Sequence, residues 1–186
     1  MPLAFPSHQG LIAPLWRRWP QRFDALALCV GAATPDIVDG ITGPFRGGLG
    51  QWYGHSLFGL FVFCWPLTVV LTLGFAPLAK RWLIGEWRPT WRVFLISSWV
   101  GAFSHLFIDF LSHGNFLWFF PWYTNPRFFP SWWYIKWGEI PLPGYRNPYP
   151  FSPHLIVWIL FGLVGIVMFF WPWLKSRRRR VLHIKN

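Results

Sequence analysis

The sequence predicts an all-α fold, a polytopic transmembrane helical bundle of about four spans. Three observations predict it. Hydrophobic residues make up 54% of the 186-residue chain and charged residues only 12%, about half the ~25% charged content of an average soluble domain. Sixteen Trp and twenty Phe would overload a soluble core of this size, but they suit lipid-facing surfaces and the interfacial belts where amphipathic rings settle. Apolar runs close to the ~20 residues needed to cross a bilayer recur along the chain.

Taken in order, Met1–Trp16 lacks a basic leader region and is interrupted by Pro2, Pro6 and Pro14, so it does not read as a cleavable signal. It is expected to stay in the protein as a re-entrant segment or a short extra span carrying His8. Asp24–Asp39 is a short span that just crosses if it stands upright. Leu57–Leu78 and His154–Leu174 are the plainest spans. Trp91–Ser112 is long enough, yet it contains Ser97, Ser98, Ser104, His105 and Asp109. Between Asn115 and Pro153 the prolines at 121, 126, 130, 141, 143, 148 and 150 rule out one continuous helix. The dense aromatics there predict a loop lying in the interface as a lid. One membrane domain results: a motif-bearing part over 1–113, an extramembrane aromatic loop over 114–153, a last span over 154–174 and a basic tail over 175–186. No internal repeat is visible.

The formal charge of +11 raises the question of a nucleic-acid partner, and the placement of the charges argues against one. Arg17, Arg18 and Arg22 form one group, Lys80, Arg81, Arg88 and Arg92 a second, and Lys175, Arg177–Arg180 and Lys185 a third. Each abuts an apolar segment, as the positive-inside rule expects. The expected partners are therefore the lipid bilayer and, at the basic tail, anionic headgroups, with no nucleic acid. Placing all three groups in the cytoplasm makes the chain multi-pass with a cytoplasmic C-terminus. It also gathers Asp36, Asp39, His55 and His113 near the outer face, with His105 and Asp109 up to two turns deeper.

The most informative segment is Gly101–His113, where His105, Asp109 and His113 recur every four residues and so stack on one helical stripe. Neighbours one turn apart, ~5–6 Å, can share a metal ion, whereas His105 and His113 are too far apart to do so directly. An Asp bridging two ions, with one His on each, satisfies this spacing. The bland alternative is hydrogen-bonded packing within the bundle. An intramembrane carboxylate costs roughly 2.5–3.5 kcal/mol on insertion scales, which weighs toward metal binding or catalysis.

Asp36 and Asp39 close an apolar run after Pro35, one turn apart if the helix continues. Only six acidic residues occur in the chain, and three of them lie in these two segments. Asp39 reads equally as a helix-end residue beside Gly40. His55 precedes Ser56, a natural N-cap of the strongest span. Ser7 is placed to cap a short helix carrying His8. His154 and His183 read as a polar helix end and a residue facing solvent or headgroups. Cys29 and Cys64 form neither a CxxC site nor a disulfide framework and read as small buried hydrophobes. Gly47, Gly48 and Gly50 lack the Lys and Ser/Thr of a phosphate loop. No GxSxG elbow or HExxH motif occurs.

Together, Pro6-Ser7-His8, Pro35-Asp36, His55-Ser56-Leu57 and Ser104-His105 with Asp109 and His113 resemble a bacterial membrane family catalogued as domain of unknown function 4184, from Met1 to about His113. More distantly, the series is similar to LexA-binding, inner-membrane-bound metal-dependent hydrolases and to zinc-dependent phospholipase C. The resemblance implies a bacterial inner (plasma) membrane location and metal-site positions at His8, Asp36, His55, His105, Asp109 and His113. Two departures stand out. Gly114-Asn115-Phe116 replaces a Pro-Asp-Gly-like turn, and Ser152-Pro153-His154 replaces a Gln-His pair, which makes His154 a seventh candidate.

The function expected is a membrane-embedded metal-dependent hydrolase acting on a lipid or phosphoester. Its divalent transition metal is expected to be Zn²⁺, with more than one ion in view, and Asp36 or Asp39 would act as ligand or general base. The alternative is a non-enzymatic membrane protein that uses the same cluster for structural metal binding, ion passage or partner recognition.

Overall fold

The computed structural model describes residues 4–43, 53–79, 89–112, 118–120, 129–141, 148–153 and 155–168. Most of them are helical. Among the described residues, three helices are long and apolar enough to cross a membrane: Ala25–Thr42, Leu57–Leu78 and Trp91–Leu111. Leu155–Met168, here α6, is a shorter apolar helix within the segment expected as the last span. The N-terminal segment forms α1 (Ala4–Arg18), whose final turn carries Arg17 and Arg18. Ser7 does not cap it. It sits inside α1 and its buried hydroxyl donates to the Trp158 carbonyl of α6 at 2.9 Å.

The span expected over Asp24–Asp39 runs to Thr42 and is broken. Asp24 caps α2 (Ala25–Gly31) by accepting from the Ala27 amide at 2.6 Å, and α3 (Thr34–Thr42) begins after a turn at 32–33. Pro35 explains the break. It has no N–H to offer the Gly31 carbonyl four residues back, and the Thr34 hydroxyl donates to that carbonyl instead, at 2.6 Å. Thr34 also meets Thr68 at 2.7 Å, tying this break to the next helix.

That helix, α4 (57–79), starts at Ser56, whose hydroxyl accepts from the Gly59 amide at 2.9 Å. Its second turn, Leu60–Cys64, is a π segment. Pro66 follows after Trp65 and cannot supply an ordinary i→i−4 bond, so the ladder widens before it. Next comes α5 (Trp91–Ser112). Within the aromatic stretch the all-α expectation is too simple. A 3₁₀ turn, Ser131–Tyr134, is followed by a two-stranded antiparallel hairpin of β1 (Gly138–Ile140) and β2 (Tyr149–Phe151). Pro150 sits opposite Glu139 in the register, a place proline tolerates because a two-stranded ribbon has free edges.

The core lies where α3, α4 and α5 meet, around Val38, Leu60, Cys64, Ala102 and Leu106. A second cluster of Ile12, Leu28 and Ala32 seats α1. Glycine makes the tightest crossing possible. A Cβ on Gly101 would collide with the Leu28 carbonyl, and one on Gly31 would come within 2.7 Å of the Ser98 carbonyl, so α2 and α5 touch backbone to backbone. Gly10 does the same for α1 against Phe161 of α6. The outward faces carry exposed apolar side chains, among them Phe61, Val70 and Leu78 on α4 and Leu160, Leu163 and Val167 on α6.

Candidate metal centre

Six of the side chains singled out in the sequence converge. His8 comes from α1, Asp36 and Asp39 from α3, His55 from the turn before α4, and His105 and Asp109 from α5. They do so because the Gly31–Gly101 crossing lays the start of α3 against the lower half of the His105–Asp109 stripe. Gly54 adds to this, since a Cβ there would meet the Pro35 carbonyl. His113, His154 and His183 lie outside the described residues.

The two central imidazoles are each held from behind. His105 Nδ1 is 2.7 Å from the Ala32 carbonyl, an oxygen that can only accept, so Nδ1 carries a proton and Nε2 is the nitrogen turned to the centre. His55 Nδ1 is 2.7 Å from Asp39 Oδ2, and the Gly54 amide donates to Asp39 Oδ1 at 2.8 Å. The two Nε2 atoms then face each other at 3.1 Å. Asp109 Oδ2 stands 3.0 Å from His55 Nε2 and 3.5 Å from His105 Nε2, and Asp36 Oδ1 stands 3.5 and 3.6 Å from the same two nitrogens. Hydrogen bonding from the far nitrogen to a carboxylate or a backbone carbonyl is the usual support of metal-ligating histidines.

His8 stacks face to face on His105, with ring centroids 3.7 Å apart and planes 8° from parallel. Its Nε2 lies 3.7 Å from Asp109 Oδ1, and the edge of Trp158 packs against it at 5.5 Å. His8, Asp39, His55, His105 and Asp109 are buried, whereas Asp36 keeps 31% of its side chain exposed. Two overlapping groups, His8–Asp36–His105 and His55–His105–Asp109, bring their ligand atoms within 4.8 Å of one another and could each hold a metal ion.

Charge makes this arrangement unusual. Half of the chain's six acidic residues sit here although the chain as a whole is strongly basic. At His55, which precedes α4, burial opposes protonation, but hydrogen bonds to Asp109, Asp36 and Asp39 outweigh it and hold the imidazole well above its ordinary pKa. The cluster thus draws positive charge, either protons or a cation.

The family model of a domain of unknown function, DUF4184, matches residues 1–183. The chain belongs to the DUF4184 family. No curated protein and no solved structure matches it. The DUF4184 match extends well beyond His113, where the motif resemblance ends, and takes in the aromatic stretch, α6 and most of the basic tail.

Within this DUF4184 chain, sequence reasoning did not find the Ala32 carbonyl or Trp158 as parts of the site. The local signal for the first is the helix break that Pro35 imposes, since Ala32 lies in the turn between α2 and α3. Trp158 has no such signal, since an aromatic in an apolar helix reads as core or lipid-facing.

Proposed function

We propose that this protein is a membrane-embedded, metal-dependent hydrolase acting on a lipid or a phosphoester. One observation carries the reading: the Nε2 atoms of His55 and His105 face each other at 3.1 Å while their Nδ1 atoms are committed to Asp39 and Ala32. Two ring nitrogens and two carboxylate oxygens pointed at one place repel unless a proton or a metal ion lies between them. Two His nitrogens with carboxylate oxygens suit a divalent transition metal, Zn²⁺ first among them.

When bound there, such an ion acts as a Lewis acid and lowers the pKa of a bound water toward ~7. The chain's own residues do the rest. Asp39 fixes the tautomer and direction of His55, and Ala32 does the same for His105. Asp109 supplies buried negative charge that would hold such an ion. Asp36, at the exposed edge, is the group placed to take a proton from an attacking water or to turn aside as substrate enters. A purely structural ion site keeps no open position, and the partial exposure of Asp36 favours catalysis. Ile37, the next residue of α3, is exposed, which supports an amphiphilic substrate. The apolar outer faces of α4 and α6 support placement in a membrane with the basic tail against anionic headgroups.

The test is elemental analysis and phosphodiesterase and lipase assays on detergent-purified protein. Bound transition metal and an activity abolished by His105→Ala or by chelation, then restored by Zn²⁺, are expected. Protein that binds no transition metal overturns the reading. Activity that survives His105→Ala in a destabilised protein favours the non-enzymatic alternative.

A further inference from the structure

We infer that the cluster holds two metal ions rather than one, bridged by the carboxylate of Asp109, with His8 as the ligand specific to the second ion. This rests on the metal reading above and adds a second position to it. His55 and His105 each have a single nitrogen for the centre, because Asp39 and Ala32 occupy the other. Those two Nε2 atoms and Asp109 Oδ2 define one ion position.

His8 addresses the other oxygen of the same carboxylate. Its ring lies parallel to His105 with a centroid separation of 3.7 Å, and its Nε2 is 3.7 Å from Asp109 Oδ1, while His105 Nε2 is 3.5 Å from Oδ2. Two parallel imidazoles therefore face the two oxygens of one carboxylate. The ring offset matches the ~3.5–4 Å between ions in two-metal hydrolytic sites. The nitrogen–oxygen distances also fit. At 3.5 Å and beyond they are too long for hydrogen bonds, whereas two ligands each ~2.0–2.1 Å from a tetrahedral ion stand roughly 3.3 Å apart. Asp36 belongs to the group that includes His8 and His105 and can reach either ion.

The state of His8 is the independent observation. Its side chain is 1% exposed, and neither ring nitrogen has a hydrogen-bond partner among the described residues. Buried polar groups are nearly always paired, so a histidine present only for packing leaves this cost unexplained. A cation at Nε2 removes most of it.

The experiment uses the full chain, purified in detergent, stripped with chelator and titrated with Mn²⁺, with metal counted by elemental analysis and coupling read by electron paramagnetic resonance. Wild type is expected to bind two equivalents with an exchange-coupled spectrum. His8→Asn is expected to bind one with an isolated-ion spectrum, and Asp109→Asn to lose the coupled signal entirely. His8→Asn protein that retains two coupled ions overturns the inference. Wild type that binds one isolated ion also overturns it and leaves the hydrolase reading standing, whereas wild type that binds none overturns both. Should His8→Asn fail to keep wild-type helical circular dichroism, the wild-type spectrum alone decides.

Discussion

Asp39 grips His55 from behind: Oδ2 lies 2.7 Å from Nδ1, while the Gly54 amide donates to Oδ1 at 2.8 Å. The carboxylate thus aims the imidazole without pointing into the cluster itself. Removing such outer partners typically costs ~10–100-fold in metal affinity. Asp39→Asn keeps a shape that can still accept from Gly54 but loses the charge behind His55. Its Zn²⁺ affinity, measured by chelator competition, is expected to fall within that range at unchanged helix content. An affinity within twofold of wild type would show that Asp39 does not support the site.

The contact of α2 with α5 depends on glycine, and it brings Asp36 to His105. Gly101→Ala places a methyl against the Leu28 carbonyl, where neither backbone can give way without opening the crossing. Destabilisation of about 1–3 kcal/mol is expected, as for other overpacked sites, together with weaker metal binding. Gly74→Ala serves as the control. A Cβ at Gly74 meets nothing within 4 Å, so helix propensity alone acts and stability should rise by roughly 0.5–1 kcal/mol. Thermal unfolding of both variants in one detergent compares them.

Protons and metal compete for His55, which gives two opposed pH dependences. Burial disfavours its protonation, but the three carboxylates outweigh burial and raise its pKa in the folded protein. The stabilisation from this group is therefore fully present below the unfolded-state value of about 6.5 and is lost as pH rises through the higher folded value. In chelator-stripped protein, the Tm should decline as pH climbs above about 6.5, and His55→Asn should flatten that slope. Metal-loaded protein runs the other way, because ligands bind deprotonated and metal affinity grows with pH.

Trp133 ties the aromatic stretch to the site helix. The Trp133 indole N–H donates to the Leu111 carbonyl at 2.6 Å, one of the carbonyls that the last turn of α5 leaves without a helical partner. Trp133→Phe keeps the ring and removes the donor. Hydrogen exchange measured by mass spectrometry should quicken over the 3₁₀ turn and hairpin while α2 and the middle of α5 stay protected. Unchanged exchange would show that apolar packing alone, such as the stacking of Phe129 on Trp133 at 4.9 Å, holds this segment.

Much of the architecture is a local property of the sequence. Apolar length determined Leu57–Leu78 and Trp91–Ser112, and Ser56 marked the start of α4, because window hydropathy and capping depend only on neighbours in the chain. The four-residue spacing of His105 and Asp109 likewise placed both on one stripe. Pro35 marks the break locally, but the unbroken hydropathy of the run conceals it. The hairpin in the aromatic stretch is hidden because dense Trp, Tyr and Pro mask the alternation that marks strands.

What the tertiary structure alone decided is which groups meet and which atom of each faces the centre. His8 reaches His105 because α1 is seated by Ile12 against Leu28 and Ala32 and by Gly10 against Phe161 of α6. Asp36 and Asp39 lie one turn apart, yet one faces the paired Nε2 atoms while the other turns to the back of His55. Sequence spacing specifies the face of a helix, whereas the choice between front and back of an imidazole depends on where another helix's backbone comes to rest. Here that is decided at the Gly31–Gly101 crossing, by backbones close enough to exclude any side chain.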